Sequence, residues 1–152
     1  MRHVLEEALG IRRASALREG EVVRGRPAVA LGVRASAHRV AGMKLSDREH
    51  TAVIVDFAGN LIADDVIPRR PGPMTVPEML DAIETLLNRV CAKAGLARAD
   101  LSALGVGVPG FVDTTTGTVM WSSVLSDRSV PLAAVASARV TAVIFAIPGC
   151  GG

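Results

Sequence analysis

The chain has 152 residues, 49% of them hydrophobic and 21% charged, so it can bury a core as one domain-sized unit and is not of the disordered class. Aromatic residues make up only 3% of the sequence, which argues against the stacking platforms that bind single-stranded nucleic acid. The formal net charge is +2, but residues 1–39 carry eight arginines against four glutamates. This asymmetry suggests a basic arm joined to a near-neutral domain, or simply a solvated tail.

Cysteine usage and hydropathy indicate the compartment. Cys91 and Cys150 do not have the spacing of metal ligands, so we predict no metal site and no disulfide framework. The sequence contains no apolar run of membrane-spanning length and no signal-peptide core at its amino terminus. We therefore expect a soluble, cytoplasmic protein without a membrane partner.

The amino-terminal segment combines a helical pattern with a basic turn. Apolar residues at roughly helical spacing predict a helix over residues 4–17. Arg24-Gly25-Arg26-Pro27 follows, and two arginines around a glycine form a narrow hook that can enter a minor groove. RGRP also resembles the core of an AT-hook. The alternative is a basic linker with no role in DNA binding.

Residues 39–68 have the pattern of antiparallel strands. We predict two or three strands here, over residues 40–45, 51–57 and 61–67, with Val53 and Val55 alternating in the second. The stretch RRPGP at residues 69–73 then reads as a rigid, turn-rich connection.

A long amphipathic helix is predicted next. Thr75 and Glu78 have capping-box spacing, and Gly95 supplies a stop signal. The apolar residues between them recur at intervals of three and four, which is typical of packing against a sheet. We therefore assign no chemistry to Met79 or Cys91, which belong to this stripe.

Residues 103–113, with sequence ALGVGVPGFVD, predict a buried strand that enters a tight turn. The strand spans residues 100–108, and Pro109-Gly110 forms the turn. Ligands often bind where such a strand ends, and glycines allow close approach of the backbone. A buried strand with its turn and no ligand is the alternative. A short helix over residues 129–139 and a strand over residues 140–147 complete the predicted elements.

An ordered series of motifs carries a family resemblance. GVGVPGFVD is followed by TGTV at residues 116–119, by Ser122-Ser123-x-Leu125 and by VPL at residues 130–132. From about residue 24 to residue 139 the chain resembles the ROK family of repressors and sugar kinases. The resemblance implies an α/β fold, a single actin-like ATPase (ribonuclease H-like) lobe with a mixed sheet and flanking helices.

The same resemblance implies two regions. Residues 1–36 correspond to a basic remnant of a winged helix-turn-helix, with RGRP as the wing, and residues 37–152 to a partial sugar-binding lobe. Only 23 residues precede Arg24, which is too few for the three helices of such a DNA-binding motif. We therefore expect the reading helix to be missing or truncated.

The kinases of this family have a phosphate loop of pattern D-x-G-x-T. The resemblance puts Lys44 at the aspartate, Ser46 and Asp47 at the glycines, and Arg48 at the threonine. A carboxylate at Asp47 would repel phosphate, and Lys44 cannot act through a metal ion. This degenerate phosphate loop argues against ATP binding, and we predict no cofactor. Direct phosphate binding by Lys44 and Arg48 is the alternative, although the glycine-rich cradle is absent.

Two sugar-binding positions can be carried over from the resemblance. Gly110 matches the glycine of the family's sugar loop, and Ser123 matches a hydroxyl-bearing position near the sugar. The family's frequent asparagine after that position is Val124 here, which removes a donor and an acceptor from the pocket wall. Asp113 is interpreted as a cap of the TTTG turn. The replacement of this asparagine by Val124 implies a sugar effector that binds weakly or no longer binds.

The carboxyl-terminal residues depart from the family. A strand there should run into D-N-D, whose second aspartate is the catalytic base, whereas Pro148-Gly149-Cys150 follows in this sequence. Phosphoryl transfer needs metal, phosphate cradle and positioned base together. We therefore predict a fragment of a ROK-type transcriptional regulator, truncated at both ends, that has no catalytic residues. A sugar kinase or an inactive remnant are the alternatives. The expected partners are a sugar, DNA and, through an uncovered sheet, further copies of the chain.

Overall fold

The computed structural model describes residues 11–15, 29–140 and 144–148. Within these residues the chain forms nine strands and two helices. The strands are β1 (Ile11–Ser15), β2 (Val29–Val33), β3 (Arg39–Lys44), β4 (Glu49–Asp56), β5 (Leu61–Pro68), β6 (Ala103–Val108), β7 (Gly110–Asp113), β8 (Thr118–Ser122) and β9 (Ile144–Pro148). The helices are α1 (Val76–Ala94) and α2 (Leu132–Val140), and short 3-10 turns cover Ala35–Ala37 and Arg98–Asp100.

A five-stranded mixed sheet forms the centre of the fold, in the order β5-β4-β3-β6-β9. Strands β3, β4 and β5 form an antiparallel meander, whereas β6 pairs in parallel with both β3 and β9. On β6, Leu104, Val106 and Val108 share one face and are fully buried, because alternate residues of a strand point the same way. The predicted α/β fold with a mixed sheet and flanking helices is confirmed.

Helix α1 begins and ends where the sequence predicts. The Thr75 hydroxyl accepts a hydrogen bond from the Glu78 amide at 3.3 Å, and the Glu78 carboxylate accepts one from the Thr75 amide at 2.8 Å. Gly95 ends the helix in the left-handed conformation, with φ of 67°. The helix packs on β4 and β5 through a buried apolar stripe of Met79, Ile83, Leu86, Leu87, Val90 and Cys91. Cys91 is thus a core residue, as predicted.

An ion cluster around a buried carboxylate also joins α1 to the sheet. The Asp65 carboxylate on β5 is only 4% exposed and lies 2.7 Å from Arg89 Nε and 2.9 Å from Lys93 Nζ, both on α1. Hydrogen bonds from Arg89 and then from Lys93 hold the pKa of Asp65 well below its usual value. The charged carboxylate is tolerated at this depth because both of its oxygens are paired.

The predicted amino-terminal helix is wrong where it can be compared. Ile11–Ser15 is a strand that pairs antiparallel with Val29–Val33, so pairing with a distant segment overrides the local helical pattern. Residues 4–10 and 16–17, the rest of that prediction, lie outside the described residues. The division of the chain after residue 36 stays a prediction.

In β4, Ala52 and Ile54 form the buried face, whereas Val53 on the opposite face is 37% exposed.

Two predicted strands begin a few residues later than expected. The strand expected from residue 100 begins at Ala103, since Arg98–Asp100 forms a 3-10 turn. The strand expected from residue 140 begins at Ile144, because Val140 still belongs to α2. No helix in the described part of the chain is both long and apolar enough to span a membrane.

Candidate functional site

The candidate site lies where β3 and β6 end. These two strands run in parallel, and the Leu45 amide donates to the Gly107 carbonyl at 2.9 Å just beyond β3. Two loops therefore leave the same edge of the sheet, the β3–β4 turn at residues 45–48 and the turn at Pro109. Ligands of open α/β sheets bind at such carboxyl ends of parallel strands.

Hydrogen bonds within the chain close the β3–β4 turn. The Ser46 hydroxyl donates to the Glu49 carbonyl and accepts from the Glu49 amide at 3.4 Å. The Ser46 amide donates to Nδ1 of His50 at 3.4 Å. Lys44 and Arg48 are exposed. Because the amides of Ser46 and Glu49 already have acceptors, this turn does not offer them to a phosphate group in the way a glycine-rich cradle does.

Asp47 connects the predicted phosphate-loop position to the predicted sugar-loop position. Ser123 Oγ donates to Asp47 Oδ1 at 3.4 Å, although the two residues are 76 positions apart in the sequence. Arg69 Nη1 lies 3.4 Å from the same carboxylate oxygen and 3.2 Å from the Asp47 carbonyl oxygen. The structure thus brings Asp47, Ser123 and Arg69 together, and the roles of Asp47 and Ser123 in ligand binding stay predictions.

Gly110 is required by the backbone around it. Its φ is 134°, and a Cβ at this position would lie 2.0 Å from the Trp121 carbonyl oxygen. Gly110 pairs with Ser122 across the β7–β8 ribbon, so this close approach is part of the strand pairing. The glycine therefore has a structural cause, and its role in sugar binding stays a prediction.

Val124 does not line the candidate site. Its side chain is fully buried and belongs to the hydrophobic core, and its carbonyl accepts from the Met74 amide at 2.8 Å. That this valine, in place of the family's asparagine, weakens a sugar pocket stays a prediction. An apolar side chain is the expected occupant of this buried position.

Asp113 caps the turn that joins β7 to β8, as predicted. Its carboxylate accepts hydrogen bonds from the Thr115 amide at 3.0 Å and from the Thr116 hydroxyl at 2.9 Å. These bonds, the Thr116 one first, lower the pKa of Asp113. The turn ends at Gly117, where φ is 68° and a Cβ would lie 2.3 Å from Ala133 Cβ.

A cavity of about 400 Å³ beside the site was not anticipated from the sequence. Its walls come from β4, the loop after β5 and the start of α1, and include His50, Arg69, Arg70 and Met74. From the sequence, RRPGP is predicted only to be a turn. The local signal that could have indicated the cavity is His50, a buried histidine at an inward-facing position of β4.

Arg24, Gly25, Arg26 and Pro27 lie outside the described residues, in the segment that connects β1 to β2. Among the residues that the structure does describe, no group of three His, Cys, Asp or Glu side chains could hold a metal ion.

Neither a protein-family model nor a curated protein matches the chain, but solved structures do. A ROK family glucokinase from Streptomyces griseus, in complex with glucose and AMPPNP, aligns with a TM-score of 0.62 and 23% identity over 72% of this chain and 33% of that chain. A ROK family transcriptional regulator, a homologue of the E. coli MLC protein, aligns with a TM-score of 0.73 and 17% identity over 97% of this chain and 36% of that chain. A ROK hexokinase from Thermus thermophilus aligns with a TM-score of 0.62 and 19% identity over 72% and 35% of the two chains.

These likenesses show the fold that the sequence resemblance implied. The chain has the α/β fold of one actin-like lobe of ROK family proteins, and it spans about a third of the length of the three matched structures. Regulators and sugar kinases share this fold, so the fold by itself does not select between them.

Proposed function

We propose that this chain is part of a ROK-type transcriptional regulator that binds DNA, responds to a small sugar and does not transfer phosphate. The observation that carries the proposal is the extent of the regulator match. That match covers 97% of the chain and so extends into the amino-terminal region that holds the β1–β2 pair. The glucokinase and hexokinase matches cover 72%, about the share that residues 39–148 make up.

The β3–β4 turn supports a regulator over a kinase. A kinase of this fold presents small residues and free amides to the nucleotide phosphates. Here Asp47 places a carboxylate on the turn, and Ser46 ties its amide to His50 and its hydroxyl to Glu49. In addition, β9 ends at Pro148, where the family resemblance calls for an aspartate. The turn and the strand end therefore lack the groups that hold phosphate and take up a proton.

The sugar-facing part of the proposal rests on Gly110 and Ser123. The Ser123 hydroxyl is exposed and donates to Asp47 Oδ1 at the long distance of 3.4 Å. A sugar hydroxyl can replace this weak contact because Ser123 Oγ can both donate and accept. Asp47 would then offer a second acceptor to the same ligand.

The proposal is tested by titrating a fluorescent DNA duplex with the full chain, in the absence and presence of glucose, N-acetylglucosamine and other hexoses. A regulator should bind the duplex, and one sugar should change the apparent Kd. That same sugar should lose its effect in the Ser123→Ala variant. Absence of both DNA binding and sugar binding would favour the inactive remnant, and ADP formation with ATP and a hexose would favour the kinase.

A further inference from the structure

The cavity beside the β3–β4 turn has the size of a small-molecule site. Its volume of about 400 Å³ falls in the range of ligand pockets, roughly 300 to 1,000 Å³. Apolar side chains form much of its wall, including those of Ile67, Pro71, Met74 and Ala82. Pockets of this kind bind the apolar body of a ligand and fix its orientation with a few polar groups.

Arg69 brings a charge into this wall that the protein only partly compensates. Its side chain is 4% exposed, and its nearest anionic partner is Asp47, whose side chain is 67% exposed and lies 3.4 Å away. Nη1 and Nη2 donate to the carbonyl oxygens of Asp47 and Gly72, whereas the buried Nε–H finds no acceptor among the described residues. A buried guanidinium normally has all of its donors paired, because an unpaired buried charge is costly.

Arg70 adds a second guanidinium that is free to bind a ligand. It lines the same cavity, is exposed, and makes no hydrogen bond or ion pair with another residue in the described part of the chain. Of the two carboxylates in the wall, Asp81 pairs with Arg139, whereas Glu78 accepts from the Thr75 amide at 2.8 Å and keeps its negative charge. The wall therefore carries two guanidinium groups, those of Arg69 and Arg70, against one carboxylate that has no cationic partner among the described residues.

We propose that this cavity binds a small molecule that carries a phosphate or carboxylate group. Arg70 pairs with the anionic group, the buried charge of Arg69 adds to the attraction, and the apolar walls hold the rest of the molecule. This site does not depend on the sugar-binding role of Gly110 and Ser123. It does adjoin them, since Met74 in the cavity wall is hydrogen-bonded to the backbone of Val124 and Ser126.

Isothermal titration calorimetry with inorganic phosphate and with succinate tests the proposal and separates the two anion types. The wild-type chain should bind at least one of them. Arg70→Gln should weaken that binding about tenfold or more, the usual effect of losing a charge-assisted hydrogen bond. Arg128→Gln is the matched control, because Arg128 is also an exposed arginine and does not line the cavity. It should leave binding within about twofold of the wild type.

A second variant distinguishes binding inside the cavity from binding to positive charge at the protein surface. Ala82→Phe adds a ring to the cavity wall from α1 and leaves every charge in place, so it should also abolish binding. Thermal melts of each variant check that the fold is retained. The proposal is overturned if neither anion binds the wild type, if Arg128→Gln weakens binding as much as Arg70→Gln, or if folded Ala82→Phe binds like the wild type.

Discussion

Arg69 and Asp47 link the loop after β5 to the turn after β3. Arg69 Nη1 donates to the Asp47 carbonyl oxygen at 3.2 Å and to its carboxylate at 3.4 Å, while the arginine side chain stays 4% exposed. In the family pattern, glycines at this turn leave room for phosphate. Here Asp47 is hydrogen-bonded to the buried guanidinium of Arg69. The turn therefore has a structural role.

Removing Arg69 should therefore destabilise the chain. Arg69→Ala removes a side chain that is 4% exposed, together with its hydrogen bonds to the Asp47 and Gly72 carbonyls, and loss of such buried packing and hydrogen bonding costs about 1–3 kcal/mol. We expect the free energy of unfolding in urea to fall by about that amount. Arg70→Ala, next in the sequence but exposed, should change it by less than about 0.5 kcal/mol. Equal losses in the two variants would contradict a structural role for Arg69.

His50 should make the stability depend on pH. Burial first, and the charge of Arg69 second, lower the pKa of His50 in the folded chain below the unfolded value of about 6.5. The unfolded chain then binds a proton that the folded chain does not, so stability should fall as pH drops below about 6.5. Urea midpoints between pH 5 and 8 should show this fall in the wild type and a smaller one in His50→Gln. Parallel curves would contradict the prediction.

The β4–β5 hairpin should promote self-association. β5 is an edge strand, and apolar side chains of this hairpin remain exposed, among them Val53 at 37%, Leu61 at 60% and Val66 at 46%. An exposed apolar edge is an association site. We expect the sedimentation coefficient to rise with concentration, and the rise to shrink in the double variant Leu61→Lys/Val66→Lys. Met120→Lys, on β8, is the control. A wild-type chain that stays monomeric at high concentration would contradict this prediction.

The chain should also lack sugar kinase activity. Asp47 would repel the phosphates of ATP, and the amides of Ser46 and Glu49 are engaged within the turn. A coupled assay with ATP and a panel of hexoses and N-acetylhexosamines should detect no ADP above background, with a ROK family glucokinase as the positive control. Turnover that Asp47→Asn abolishes would reverse this conclusion.

Local signals explain which elements the sequence predicted well. The start, the buried stripe and the end of α1 are all set within about twenty residues, by Thr75, Glu78 and Gly95. β1 was missed because its strand conformation depends on pairing with Val29–Val33, which no local pattern reveals. Secondary structure that depends on a distant partner is poorly indicated by propensity.

The candidate site was predictable only in part, for the same reason. The family resemblance selected Asp47 and Ser123, and the structure places them in contact. The backbone pairing of residues 124–126 with Met74, which accompanies the burial of the Val124 side chain, could not be predicted from the local sequence. Arg69 contacts Asp47, which lies 22 positions earlier, so the sequence of its own loop could not show this contact.

The last prediction concerns DNA binding by the segment that contains Arg24, Gly25, Arg26 and Pro27. If the two arginines enter a minor groove, binding should prefer A·T-rich duplex, because the narrow groove of such sequences attracts arginine. It should also weaken steeply with added salt, since each phosphate contact releases counterions. The Kd should lie in the non-specific range, about 10⁻⁴ to 10⁻⁶ M at physiological salt, because a hook alone contacts few base edges.

The wild-type chain and two double variants distinguish binding by a specific RGRP hook from binding by general positive charge. Arg24→Ala/Arg26→Ala should remove most of the binding. Arg48→Ala/Arg128→Ala removes the same charge from two exposed positions whose side chains contact no other described residue through a hydrogen bond or ion pair, and it should change the Kd little. Fluorescent A·T-rich and G·C-rich duplexes are titrated with each protein at several salt concentrations. Equal losses from the two double variants, or equal Kd values for the two duplexes, would mean that net charge drives the binding and that RGRP acts as a plain basic linker.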